Sequence, residues 1–118
     1  MVKISKELRM KLKEQYSNRL KDEGLVISNK KRYELLDEII SKIGLPNKCF
    51  FDSEFCFSPQ KYDQEYPMEF GHIKPQSKGG SLSDTDNVIW ICRRHNIMMG
   101  DRDLKELKEF LISLKKSL

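Results

Sequence analysis

The sequence has no apolar run long enough to cross a bilayer. The longest, Val88–Cys92, falls far short of the roughly 20 residues that a transmembrane helix needs. The first residues, Met1-Val2-Lys3-Ile4-Ser5-Lys6, lack the apolar centre of a secretory signal. The expectation is a soluble, intracellular chain, cytoplasmic in a bacterial or phage setting, with no membrane partner. Cysteine is scarce as well. Three cysteines in 118 residues exclude a disulfide-stapled scaffold and, in a reducing compartment, point to thiols or metal ligands. There are only two histidines, His72 and His95, and one tryptophan. Internal repeats and low-complexity segments are absent. The length suits one domain with a modest core.

Charge is plentiful but nearly balanced: 34% of residues are charged and the net charge is +4. It is unevenly distributed. Residues 1–32 hold 10 Lys or Arg against 4 acids, and residues 33–69 hold 3 against 8. A basic end suits a polyanion such as DNA, and it also suits a solvated helix face.

Apolar residues at Ile4, Leu8, Leu12, Tyr16 and Leu20 recur every fourth position after Ser5, which predicts a capped helix ending near Gly24. Ser28 predicts a second cap. Tyr33, Leu35, Leu36, Ile39, Ile40 and Ile43 supply that helix with a buried face, and Gly44 with Pro46 ends it. Residues 46–67 are aromatic and irregular and read as a knuckle followed by a loop. Glu69–Ile73 and Asn87–Cys92 are rich in strand formers and predict two short strands joined by a Ser-, Gly- and Asp-rich loop. A helix is expected from Arg93 to Gly100. A last one is capped by Asp101 or Asp103, with Leu104, Leu107, Leu111, Leu114 and Leu118 along one face. That stripe reads most simply as core; the alternative is a homodimer seam. The expectation is therefore one α+β domain: a helical layer or arm over 1–45, a knuckle-bearing core over 46–100 and a C-terminal helix over 101–118.

Two kinds of chemistry stand out. Cys49 and Cys56 lie on one turn-rich segment, and Cys92 and His95 form a C-x-x-H pair where the second strand meets a helix. Two ligand pairs on separate knuckles are how a four-coordinate structural zinc is built, with Asp52 a weaker substitute for one cysteine. The competing reading makes the cysteines small buried apolar residues. With His95 assigned to zinc, His72 is left as a group able to accept a proton near neutral pH. Asn96 follows the C-x-x-H pair directly and offers a hard oxygen suited to Mg²⁺. Lys78, Arg93 and Arg94 are candidates for phosphate contact.

Together, GHIKPQSKGG at 71–80, DNVIWIC at 86–92 and RRHN at 93–96 resemble the HNH endonuclease signature, the ββα-metal fold. The likeness is to its zinc-knuckle branch, in which the downstream pair is commonly C-x-x-C followed by Asn. It spans Phe70–Gly100 and, with the Cys49–Cys56 segment, about half the chain. The N-terminal helices lie outside it. The resemblance implies that His72 is the general base and that Asn87 pins the loop holding that base. It makes Asn96 a ligand of a catalytic Mg²⁺ or Mn²⁺, beside a structural Zn²⁺ on Cys49, Cys56, Cys92 and His95. DNA cleavage would leave 5′-phosphate and 3′-hydroxyl ends. Many members carry an acid or histidine just before the base, as a second metal ligand; here that position is Gly71. The alternatives are a zinc-stabilised DNA-binding module without the chemistry, or a nuclease subunit of a larger complex.

Overall fold

A computed structural model describes residues 4–51 and 68–117. The fold is α+β, with four α-helices and a small two-stranded antiparallel sheet among the described residues. Helix α1 spans Lys6–Asp22, α2 Asn29–Ile43, α3 Arg93–Met99 and α4 Leu104–Ser117; strand β1 spans Glu69–His72 and β2 Val88–Ile91.

The helix ends follow the sequence signals. The Ser5 hydroxyl accepts the Leu8 N–H and the Ser28 hydroxyl accepts the Lys31 N–H, each at 3.2 Å. Each satisfies a donor that a first turn leaves open. Asp103 is the residue that caps α4. Its carboxylate accepts the Glu106 N–H at 2.8 Å, and Glu106 accepts the Asp103 N–H at 3.1 Å, a reciprocal capping box.

Both strands are shorter than expected. Glu69, Phe70, Gly71 and His72 pair with Ile91, Trp90, Ile89 and Val88. The Ile73 N–H still reaches the carbonyl of Asn87, its partner in the same register, but the Ile73 carbonyl turns to accept the Leu104 N–H at the start of α4. Asn87 belongs to a 3-10 turn, Thr85–Asn87, that feeds β2.

All of β2 is buried. Phe70 anchors the core, with its ring 5.0 Å from Tyr16 and 4.8 Å from Trp90. Its truncation to alanine is expected to cost about 3–5 kcal/mol. Trp90 donates its indole N–H to the Gly44 carbonyl at 2.8 Å, joining the end of α2 to the sheet. Leu104 and Leu107 of α4 are buried in the same core, and Phe110 and Leu111 pack partly against it; Leu118 lies outside the described residues. Arg9 bonds Asp37 at 3.0 and 2.7 Å and stacks over Tyr33, so one cation of the basic N-terminal region serves to join α1 to α2. No helix among the described residues is long and apolar enough to cross a membrane.

Candidate functional site

Two groups of polar side chains flank β1 and β2, and they differ in kind. The first is buried. Cys49 precedes the aromatic segment, Cys92 sits at the end of β2, and His95 lies in the first turn of α3. Cys49 is 5%, Cys92 1% and His95 0% exposed. Their donor atoms all lie within 4.8 Å of one another. His95 Nδ1 is 3.6 Å from Cys49 Sγ and 3.2 Å from Cys92 Sγ. Thiolate and imidazole ligands at their usual zinc distances on a tetrahedron stand roughly 3.5 Å apart. The donor set therefore fits a metal ion.

The backbone supports this arrangement. The Cys92 N–H donates to Cys49 Sγ at 3.3 Å, and the Phe50 N–H donates to the Trp90 carbonyl at 2.8 Å, tying the Cys49 segment to β2. The Phe51 ring lies 4.7 Å from the His95 ring and covers it. The neighbouring Cys92 sulfur and then burial push the Cys49 thiol far above its ordinary value. Deprotonation there calls for a positive charge, and a bound cation supplies one. Cys56, expected as the fourth ligand, and Asp52, its alternative, lie outside the described residues.

The second group is half-open. His72 at the end of β1 and Asn96 on α3 line one cleft of about 640 Å³, together with Arg19, Gln76, Ser77 and Asp101. The side chain of His72 is 15% exposed, and its Nε2 lies 3.5 Å from Glu23 Oε2. Burial lowers the pKa of His72; Glu23 pulls it up and Arg19 pulls it down. The imidazole therefore gives up its proton at a lower pH than an exposed histidine does. Asn96 donates its amide N–H to Glu69 Oε1 at 3.0 Å, which directs the amide nitrogen away from any cation and leaves the oxygen as acceptor.

Asn87 holds the loop between the strands. It is 7% exposed. Its side-chain oxygen accepts the Lys74 N–H at 2.8 Å, and its amide nitrogen donates to the Lys74 and Ser81 carbonyls at 3.0 and 3.2 Å. The glycine pair makes this possible. Gly79 has φ +90°, and a Cβ at Gly80 would lie 1.8 Å from the Lys74 carbonyl oxygen. Only glycine permits so close an approach. Gly71 has a different cause: a Cβ there would meet Ile91 Cγ2 at 2.5 Å. The bulky β2 neighbour fills the place that a side chain at 71 would need.

The phosphate candidates diverge. Lys78 is held in an ion pair with Glu106 of α4. Arg93 is exposed and 3.9 Å from Glu69. Arg94 is exposed on α3. The residues that sequence reasoning missed are Arg19 and Glu23, both from the end of α1. The one available signal was an acid at a helix C-terminus, where the helix dipole favours a base. No family model matches the chain, and no curated protein or solved structure matches it significantly.

Proposed function

We propose that the chain is a metal-dependent endonuclease of the HNH type, hydrolysing DNA phosphodiester bonds around a zinc-stabilised ββα core. The observation that carries the reading is one cleft lined by both His72 and Asn96, beside a loop pinned by Asn87. A neutral imidazole accepts the proton of the attacking water. The water oxygen then bonds to phosphorus, and the bond to the 3′ oxygen breaks. A divalent ion held at Asn96 would offset the charge that builds on that leaving oxygen. One amide oxygen makes a hard, sparse donor set. That suits Mg²⁺ or Mn²⁺, which keep several waters. Cys49, Cys92 and His95 would hold the structural zinc, with Cys56 as the fourth ligand. Lys78, Arg93 and Arg94 are exposed cations on two elements near the cleft and would meet the phosphate backbone.

The test is a supercoiled-plasmid assay across a series of divalent ions. Nicking is expected with Mg²⁺ or Mn²⁺ and is expected to disappear on chelation and in His72→Ala. Undiminished cleavage by His72→Ala would remove His72 from the role of base.

Gly71 favours a second reading. The position where a second catalytic-metal ligand is usual has no room for a side chain, as suits a zinc-stabilised DNA-binding module that lacks the chemistry. Salt-sensitive DNA binding without cleavage under any divalent ion would select it. A nuclease subunit of a larger assembly is compatible with either reading, and co-purification with partners would reveal it.

A further inference from the structure

Helix α1 ends in a way that its own stability does not explain. Glu23 is its C-cap residue, followed by Gly24 at φ +76°. A carboxylate at the negative end of a helix dipole is unfavourable, and burying it adds a desolvation cost. Yet the Glu23 side chain is only 5% exposed. It is held in place from two sides. Its Oε2 accepts the Leu82 N–H at 3.0 Å, and the Leu82 carbonyl in turn accepts the Tyr16 hydroxyl at 2.6 Å. One turn back, Arg19 donates to the Phe70 carbonyl at 2.6 Å, locking α1 to β1 beside the cleft. This anchored carboxylate points its Oε2 at His72 Nε2, 3.5 Å away.

We infer that Glu23 is a positioning residue for His72, and that the last turn of α1 is thereby part of the cleft's machinery. Nε2 is buried without a hydrogen bond to any other group, and the carboxylate charge 3.5 Å away favours the tautomer protonated there and leaves Nδ1 as the nitrogen that takes a proton. The carboxylate also stabilises the imidazolium formed after transfer. Satisfying the Leu82 N–H alone would need only a neutral acceptor; the anion is needed for the histidine. The catalytic consequence rests on the nuclease reading above. The contact itself does not.

The test is NMR of the two-histidine protein, with His72→Gln used to assign the signals. Wild type is expected to show the neutral His72 ring with its proton on Nε2; a ring protonated on Nδ1 overturns the inference. Among the described residues, the charged groups that act on His72 are Glu23 and Arg19 from α1, and Asp101 after α3 lines the same cleft. Glu23→Gln keeps an acceptor for Leu82 but removes the anion. It is expected to lower the His72 titration midpoint by roughly one pH unit, and Glu23→Asp is expected to restore much of that. An unchanged midpoint in Glu23→Gln overturns the inference and leaves Glu23 a structural cap. If Glu23→Gln does not fold, the wild-type tautomer and the Glu23→Asp midpoint still decide. In the cleavage assay, Glu23→Gln is expected to lower kcat on the order of tenfold with KM unchanged. A wild-type protein that cuts no DNA, but whose His72 responds to Glu23→Gln, would sink the nuclease reading and keep this one.

Discussion

The two histidines stand on opposite ends of the sheet and live in opposite environments. His95 is 0% exposed, between two thiols and the face of Phe51. The side chain of His72 is 15% exposed, between a carboxylate and a guanidinium at the wall of a cleft. Soft donors packed away from water suit a closed metal site that holds the chain together. A hard, charged and partly wetted setting suits proton transfer. The same residue type is thus placed in two different settings by what surrounds it. Disturbing one site should change stability, and disturbing the other should change activity.

The largest effect should come from the buried cluster. Cys92→Ser is expected to abolish stoichiometric zinc and the cooperative thermal transition. The apparent binding free energy of a structural zinc is on the order of 10 kcal/mol, comparable with the whole stability of a small domain. Elemental analysis and calorimetry would check both. A metal-free protein with an undiminished Tm would break the comparison. Next is His72→Ala, expected to lower kcat about 10²- to 10⁴-fold while zinc content and Tm stay near wild type. A variant that lost its zinc along with its activity would show that the two sites are not separate.

Asn87→Ala comes next. It removes three hydrogen bonds from a buried loop, for an expected loss of about 2–3 kcal/mol. That corresponds to a Tm lower by about 10 °C, with zinc retained. The smallest effect is a pH dependence. Burial depresses the folded-state pKa of His72. The unfolded chain therefore binds the proton more readily. The contribution is fully present above the unfolded value of about 6.5 and is lost as pH falls from there through the folded value. The denaturant midpoint of wild type, measured between pH 7 and 5, should fall relative to that of His72→Gln as the pH falls. Proton competition for the thiolates acts on both proteins alike and cancels in that difference.

Several parts of this molecule were readable one residue at a time. Ser5, Ser28 and Asp103 act on backbone donors within three residues of themselves, so local chemistry suffices to place them. Asn87 and the Gly79–Gly80 pair were likewise legible as parts of a tight loop. The strand ends were not. The Ile73 carbonyl is drawn away by Leu104, a partner far along the chain. The pairing of Lys78 with Glu106 of α4 was equally out of reach. Cys49 and Cys92 were each readable as ligand candidates. That they meet depends on the Cys92 N–H donating to Cys49 Sγ and the Phe50 N–H donating to the Trp90 carbonyl.

What the sequence determined by itself is therefore the set of elements, their caps and the types of side chain available: soft donors in one pair, His72 and Asn96 in another stretch. Periodicity and capping are short-range, and each is written within a few neighbouring residues. What only the tertiary structure decided is which charges meet. Gly71 was open to several readings as a residue type; the cross-strand Ile91 explains why no side chain stands there. Glu23 and His72 are far apart in the chain, and nothing in either neighbourhood announces the other. Packing of α1 against Phe70 and Leu82 brings them to 3.5 Å, because an electrostatic partner is chosen by distance in space and not along the chain.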